Sequence, residues 1–295
     1  MTRSREAVAQ VTPTLLRGWP LPAPAGTKDE KGRLLIVGGS TSTPGAVLLA
    51  AEAALRVGAG KVQVATTQAT AGHLAVALPE GLVVGLDTTL GEIAASAAPR
   101  LLELAASSDA VLVGPGAGDP AAACALLEGL VPHLDTALAL DALGTAFVTQ
   151  HPEGLRHLTG RVVLTPNASE LARMLDEEED VVDGDVLGAT ARLAERAGAT
   201  VLSGSDSSFV VEPSGAGWRI DVGAPGAAVA GSGDVKAGAV AGLLARGASP
   251  AQAAVWGAHL HGRAGERLTS SVGRSGFLAR ELAPELPRAL GEVEA

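Results

Sequence analysis

The chain repeats one local pattern: a short apolar run ends in a glycine-rich or polar turn, and a helical stretch follows. Residues 34–37 (LLIV) lead to the turn 38–40 (GGS) and a helical pattern over 44–57, and residues 109–113 lead to the turn 114–118 (GPGAG). Strands that alternate with helices indicate βαβ units and a mostly parallel sheet. Because the runs are apolar on both faces, we expect helices to cover both sides of the sheet.

The same order recurs later in the chain. Residues 137–140 lead to Asp141, residues 161–164 lead to Thr165 and Pro166, and further strands are predicted at 200–202, 208–211 and 218–222. Helices are predicted at 234–246, 250–268 and 277–290, and the acidic segment 176–185 (DEEEDVVDGD) is expected to be a solvated loop at a helix end. Parallel sheets bind ligands at the carboxyl ends of their strands, so these turns could line one crevice.

A length of 295 residues is enough for one large α/β domain or two small ones, and the composition excludes several classes of protein. Residues 1–32 are rich in proline, glycine and charge, and are expected to be a leader over the surface of a single domain at 33–295. No run of about twenty apolar residues predicts a membrane span, and residues 1–10 lack the apolar core of a secretory signal. A net charge of −10 argues against a nucleic-acid partner. A single cysteine fits a reducing compartment, so a cytoplasmic location is expected.

Residues 223–238 (GAPGAAVAGSGDVKAG) carry the pattern most typical of chemistry. Gly231 and Gly233 would let the backbone approach an anion, and the helix that follows would offer free N–H groups and a positive dipole end. Asp234 could be only the N-cap of this helix. The alternative, which the long glycine- and alanine-rich approach favours, is that the N–H groups hold a phosphoryl group and Asp234 accepts the proton of an attacking hydroxyl.

Other polar residues allow more than one interpretation. Asn167 is either a turn residue or a ligand contact, and Glu170 is either an acid of the first helical turn, which we favour, or holds Mg²⁺ through water. His259 and His261 point to different faces of one helix, so both are interpreted as structural and no metal ligands are assigned. The turn after residue 37 lacks the Lys-Ser/Thr ending of a P-loop.

Together these residues resemble the ADP/ATP-dependent NAD(P)H-hydrate dehydratase family. The resemblance runs from about Lys31 to Leu268 and lies in residues 34–40 with 44–46, 58–60, 114–118, 164–166, 231–234 and 261–262. It implies a ribokinase-like α/β fold, with a mostly parallel central sheet and helices on both faces. Family members often carry an epimerase domain, for which residues 1–32 are too few, so that activity is expected to be absent.

The resemblance implies a lyase that repairs hydrated nicotinamide cofactors, NADHX and NADPHX, with ADP or ATP as co-substrate and Mg²⁺. Carried over by motif, Ala46, Gly116 or Gly118, Asn167 and the catalytic Asp234 would contact the hydrate. The residues that would contact the adenine nucleotide lie in two turns: Ser203, Gly204, Ser205, Asp206, Ser207, Gly231, Ser232 and Gly233. The family and the apolar composition also predict a homo-oligomer, of which a tetramer is one form.

The sequence departs from the family pattern at three positions. Asn167 stands where a histidine is usual, Ser203 replaces a lysine, and Lys236 replaces an apolar residue. A lysine in the first helical turn opposes the helix dipole by about 0.3–1 kcal/mol. Lys236 either restores positive charge near the phosphates or is a surface lysine whose stem lies over the sheet.

Two other functions remain open from the sequence. A kinase of a small alcohol on the same fold would release a stable phosphorylated product. A nucleotide-binding sensor without catalysis would explain the lost histidine and lysine.

Overall fold

The computed structural model describes residues 8–23, 26–204 and 206–294, and within them strands alternate with helices. The strands are β1 Ala9–Gln10, β2 Arg33–Val37, β3 Lys61–Thr67, β4 Leu82–Leu86, β5 Thr88–Thr89, β6 Glu92–Ile93, β7 Ala110–Val113, β8 Ala137–Leu140, β9 Val162–Leu164, β10 Thr200–Gly204, β11 Ser208–Val211 and β12 Gly217–Ile220. The helices are α1 Pro13–Arg17, α2 Gly45–Arg56, α3 Gln68–Ala77, α4 Ala98–Ala105, α5 Pro120–Leu130, α6 Ala146–Gln150, α7 Ala168–Leu175, α8 Glu179–Gly184, α9 Val186–Ala197, α10 Ser232–Ala245, α11 Pro250–Ser271 and α12 Ala279–Glu294.

Ten of these strands form one sheet in the order β1-β12-β11-β10-β9-β8-β7-β2-β3-β4. The run from β10 to β4 is parallel throughout, whereas β11 is antiparallel to both β10 and β12. Strands β5 and β6 form a separate antiparallel hairpin. The predicted mostly parallel sheet is confirmed, and its parallel part brings the carboxyl ends of seven strands to one edge.

Helices cover both faces of the sheet, as the doubly apolar strands predict. In β2, Leu34 and Ile36 belong to one buried cluster with α2, α10, α11 and α12, whereas Leu35 and Val37 belong to a second with α4, α5, α7 and α9. Successive side chains of a strand point to opposite faces, so a strand between two helical layers must be apolar at every position.

Two segments differ from the expectations drawn from their composition. The acidic segment was predicted to be a solvated loop, but its residues 179–184 form α8, whose Val182 is completely buried. The prediction was wrong because this single apolar anchor holds the helix, with Glu179 and Asp180 in its favourable first turn. The segment expected to be a leader over the surface contributes a strand to the central sheet, because β1 pairs with β12. It is also held by the Trp256 indole, which donates to the carbonyl of Trp19 at 3.0 Å.

Among the described residues, we find no helix with the length and apolar character needed to cross a membrane.

Candidate active site

The turn before α10 positions Asp234. Gly231 is the N-cap of this helix at φ +87°, a conformation that favours glycine, and its Cβ would lie 2.6 Å from the Leu49 Cδ1 atom of α2. Asp234 is the third residue of α10 and its side chain makes no capping hydrogen bond. The interpretation of Asp234 as the N-cap is therefore wrong, because the backbone of Gly231 occupies that place.

The electrostatic environment of Asp234 suits a proton acceptor. Burial raises the pKa of its carboxyl to about 6, well above the ordinary value of 3.8. A general base is most effective when its pKa lies close to the working pH, because it is then both ionised and basic. Asp234 is therefore mostly ionised at neutral pH and holds a proton more firmly than an exposed aspartate.

Asp234 opens onto a cleft of about 200 Å³ at the carboxyl ends of β8 and β9. The residues that line it come from three turns: Asp141, Ala142, Thr165, Asn167, Glu170, Gly231, Gly233, Asp234 and Lys236. The structure thus brings the predicted Asn167 turn and the glycine turn to one cleft. A larger groove of about 1070 Å³ lies at the amino ends of the strands, away from these residues.

Asp141 is a residue of this cleft to which the sequence assigned no role. Its carboxylate accepts a hydrogen bond of 2.6 Å from the Thr165 hydroxyl. The pKa of Asp141 is raised to about 7, mainly by burial; the Thr165 hydrogen bond and Lys236 lower it, and the carboxylates of Glu170 and Asp234 raise it. The signal in the sequence was only an aspartate at the end of a strand, which is common without any function.

Asn167 and Glu170 are joined by two reciprocal hydrogen bonds at the start of α7. The Asn167 side chain accepts from the backbone N–H of Glu170 at 2.9 Å, and the Glu170 carboxylate accepts from the N–H of Asn167 at 3.0 Å. This capping box confirms that Asn167 is a turn residue and that Glu170 is an acid of the first helical turn, and neither role excludes an additional contact with a ligand. Because both residues also line the cleft, the box fixes the position of their remaining polar atoms there.

Lys236 faces the carboxylates of the cleft. Burial lowers the pKa of its ammonium, while the nearby charges of Asp141 and Glu170 raise it. Lys236 is half-buried and lines the cleft, which favours the interpretation that it adds positive charge near the phosphates over that of a surface lysine. Because α10 begins at Ser232, Lys236 is its fifth residue and lies beyond the first turn, so the adverse dipole interaction expected from the sequence is small. The two acids of the same cleft offset its charge.

A second group of residues lies one strand further along, where β2 and β7 end. Gly116 has φ +70°, and a Cβ there would lie 2.5 Å from the carbonyl oxygen of Thr43 and 2.8 Å from the Ala46 Cβ. The Thr43 hydroxyl donates to the Gly116 carbonyl at 2.6 Å. The predicted contacts Ala46 and Gly116 are therefore neighbours, at the amino end of α2.

The β5–β6 hairpin covers this second group and has no counterpart in the sequence predictions. Its Glu92 carboxylate accepts from the backbone N–H of Gly118 at 3.0 Å, and the Gly91 carbonyl accepts from the N–H of Thr41 at 2.9 Å. Gly118 is thus tied to the hairpin. Strands of two residues are too short to be detected from alternation.

The predicted nucleotide-binding loop, residues 203–207, begins at the end of β10, which lies beside β9 in the sheet. Ser203 is completely buried and its hydroxyl has no hydrogen-bond partner among the described residues, so only its backbone could reach a ligand without rearrangement. Gly204 turns the chain at φ +130°, and the Ser207 hydroxyl donates to Asp221 at 2.7 Å. Asp206 is exposed, and Ser205 lies outside the described residues.

His261 of α11 contacts the glycine turn through Ser232. Its Nε2 atom lies 2.8 Å from the Ser232 hydroxyl oxygen, and burial, with a contribution from Lys236, lowers its pKa to about 3. A neutral imidazole can therefore share one hydrogen bond with Ser232. The structural interpretation of this histidine holds, but the element it supports is the turn that carries Asp234.

Solved structures share this architecture. The chain matches a ribokinase-like superfamily protein of Enterococcus faecalis V583 with a TM-score of 0.83 and 23% identity over 99% of each chain. It matches the ADP/ATP-dependent NAD(P)H-hydrate dehydratase of Bacillus subtilis, co-crystallised with ATP/Mg²⁺, with a TM-score of 0.79 and 23% identity over 97% of this chain and 99% of that one. The fold is therefore that of the ribokinase-like α/β class.

The sequence comparisons identify the family within that class. A family model described as NAD(P)H-hydrate dehydratase matches residues 34–288. The ADP-dependent (S)-NAD(P)H-hydrate dehydratase of Xanthomonas campestris pv. campestris is 42% identical over 289 residues, 97% of each chain. The chain belongs to the NAD(P)H-hydrate dehydratase family, as its motifs predicted. The bifunctional NAD(P)H-hydrate repair enzyme of Moorella thermoacetica is 35% identical to this chain, and the match covers 51% of that enzyme's length.

Proposed function

We propose that this protein converts NADHX or NADPHX back to NADH or NADPH, with ADP or ATP as phosphoryl donor and with release of phosphate. The observation that carries the proposal is the carboxylate of Asp234, which has a pKa of about 6 and lies in the first turn of a helix behind a glycine turn. The 42% identity to a dehydratase over nearly the whole chain supports the choice of substrate.

In the first step, the hydroxyl of the hydrate attacks the terminal phosphoryl group while Asp234 takes the hydroxyl proton. Gly231 and Gly233 line the same cleft, and the backbone N–H groups at the start of α10 would stabilise the charge on the phosphoryl oxygens. The nucleotide leaves as AMP from ADP, or as ADP from ATP. Positioning and charge stabilisation account for most catalysis in such transfers, so this small group of residues suffices.

In the second step, the phosphorylated hydroxyl leaves as phosphate. The lone pair of the ring nitrogen expels it, and loss of a proton from the adjacent ring carbon restores the double bond. The contacts assigned to the hydrate, from Ala46, Gly116 or Gly118 and Asn167, would hold the ring in the orientation that both steps require. The loop 203–207 and the turn 231–233 would bind the adenine nucleotide.

Asp141 and Glu170 fit a requirement for Mg²⁺. Their carboxylate oxygens lie in the cleft with Asp234, and Mg²⁺ prefers oxygen ligands of this kind and keeps several waters. When bound, the ion would neutralise charge on the phosphates of the nucleotide. We assign to Glu170 the contact through water, since one of its oxygens already accepts from Asn167.

The proposed reaction is tested by incubating the protein with NADHX and either ADP or ATP. We expect the absorbance of reduced nicotinamide to return with at least one of the two nucleotides. No return with either would reject the proposal. A phosphorylated product that persists would instead indicate the kinase of a small alcohol.

The activity should fall at acid pH because Asp234 must be ionised. Its pKa is raised to about 6, so the carboxylate is present above that pH and is lost as the pH falls through it. We expect kcat/KM measured from about pH 5 to about pH 8 to drop about tenfold per unit below about pH 6. A profile that stays flat down to about pH 5 would contradict the role of Asp234 as base.

Lys236→Leu should reduce kcat/KM about tenfold, because one charge interaction in such a site contributes about 1–2 kcal/mol. The loss of positive charge should also raise the pKa of Asp141, which Lys236 holds down. Lys28→Leu, which removes an exposed lysine elsewhere, is the matched control. Equal kcat/KM values for Lys236→Leu and the control would show that Lys236 has no part in turnover.

We also propose a homo-oligomer in the cytoplasm. Val76, Leu82 and Leu90 are apolar residues of α3, the edge strand β4 and the β5–β6 hairpin, and they are 83%, 57% and 99% exposed. Exposed apolar side chains on neighbouring elements are typical of protein interfaces. Light scattering behind size exclusion would measure the mass, and a monomer at micromolar concentration would contradict the oligomer.

A further inference from the structure

Cys124, Glu128 and His151 form a cluster of potential metal ligands outside the cleft. The thiol sulfur, a carboxylate oxygen and an imidazole nitrogen lie within 4.8 Å of one another. The His151 Nε2 atom is 2.8 Å from Glu128 Oε1, and Cys124 Sγ is 3.9 Å from the same oxygen. Sequence spacing did not reveal the cluster, because His151 is 23 residues from Glu128.

The backbone holds these three donors together. Cys124 and Glu128 are four residues apart on α5, so they lie on one face of that helix. His151 is the C-cap of α6, which packs against α5, and its ring lies 5.0 Å from the ring of Phe147. The two helices therefore fix the backbone positions of all three residues.

The separations between the ligand atoms lie close to those of a zinc site. For bonds of about 2.0–2.3 Å in a tetrahedron, neighbouring ligand atoms lie about 3.3–3.6 Å apart. The separations of 2.8 and 3.9 Å from Glu128 Oε1 bracket that range, and no two of the three atoms are more than 4.8 Å apart, so rotations of Glu128 and His151 would bring all three atoms to one ion. Both side chains have room to rotate, since 49% and 42% of their surfaces are exposed.

We propose that Cys124, Glu128 and His151 bind one divalent ion of the zinc class, with water as the fourth ligand. A set of one sulfur, one nitrogen and one oxygen atom favours Zn²⁺ or Co²⁺ over the hard ions Mg²⁺ and Ca²⁺. The site is distinct from the Mg²⁺ contacts assigned to the cleft, and it would join α5 to the end of α6.

Two other interpretations of the cluster predict different behaviour. A simple ion pair between His151 and Glu128 would be indifferent to zinc and would leave the thiol free. A redox-active cysteine needs access to solvent and a second thiol to pair with, whereas Cys124 is 2% exposed and is the only cysteine of the chain.

The test is a titration of the whole protein with Co²⁺ alone, without nucleotide. Cys124 is the only cysteine of the chain, so charge-transfer absorption from a thiolate to Co²⁺ can arise only from it. We expect this absorption to saturate at one Co²⁺ per chain and to disappear on addition of Zn²⁺. Absence of the absorption, or no saturation at one ion, would overturn the proposal.

Three variants make the test specific. Cys124→Ser should abolish the absorption, and His151→Gln, which keeps a hydrogen-bonding side chain beside Glu128, should weaken Co²⁺ binding by at least about tenfold. His73→Gln removes an exposed histidine of α3 and should bind Co²⁺ as the unmodified protein does. Equal affinity in His151→Gln and His73→Gln would exclude His151 as a ligand and overturn the proposal.

Discussion

Asp234→Asn should lower kcat by about 10²–10⁴-fold, the usual contribution of a positioned general base. Asparagine has nearly the same shape but cannot accept the hydroxyl proton. The binding of nucleotide should change little, because the N–H groups of the turn are unaltered. The effect should therefore appear in kcat more than in KM, which marks an interaction made in the transition state.

The same substitution should leave the fold intact. The raised pKa of Asp234 means that its ionised form is less stable in the folded chain than in the unfolded one. Removing the charge should thus keep or slightly increase the free energy of unfolding at neutral pH. Asp183→Asn, in the exposed part of α8, is the matched control and should keep full activity. Residual turnover in Asp234→Asn equal to that of the control would exclude Asp234 as the base.

Gly238→Ala should lower the free energy of unfolding by at least about 3 kcal/mol, the upper end of the usual cost of overpacking a core. The Cβ would lie 2.2 Å from the carbonyl oxygen of Ala50 and 2.6 Å from its Cα. These are backbone atoms of α2, so the clash can be relieved only by moving one helix away from the other. Because α10 begins at the glycine turn and α2 begins beside Ala46, the movement should also separate the two parts of the active site.

Gly291→Ala is the control for that substitution. Gly291 lies in α12, and a Cβ there would meet no atom within 4 Å. Alanine is favoured over glycine in a helix, so this variant should gain about 0.5–1 kcal/mol. Denaturant unfolding of both variants gives the comparison. A free energy of unfolding for Gly238→Ala equal to or above that of the unmodified protein would contradict the close crossing of α2 and α10.

The parallel strands β2, β7, β8, β9 and β10 were predictable because each is a short apolar run that ends in a turn. The half-exposed edge strand β4 was not predicted. The hairpin β5–β6 was not predicted either, since two strands of two residues have no detectable period. The edge strand β1 was also missed. Its pairing with β12 depends on a partner more than 200 residues away, which proline-rich composition does not reveal.

Prediction of the site was limited in a similar way. The turn 231–234 could be recognised because its glycines and acid are adjacent in sequence. The interactions of Asp141 with Thr165 and of Ser232 with His261 join distant segments. Asn167 and Lys236 were recognised as departures from the family pattern, but only the structure places them in one cleft with Asp141.

The most direct test of this account is to measure phosphate and reduced nicotinamide together during one reaction of NADHX with the adenine nucleotide. If the chain phosphorylates the hydrate and then eliminates phosphate, the two products should appear in equal amounts, and neither should form with Asp234→Asn. Nucleotide consumption that yields a lasting phosphorylated hydrate, or products formed equally well by Asp234→Asn, would contradict it.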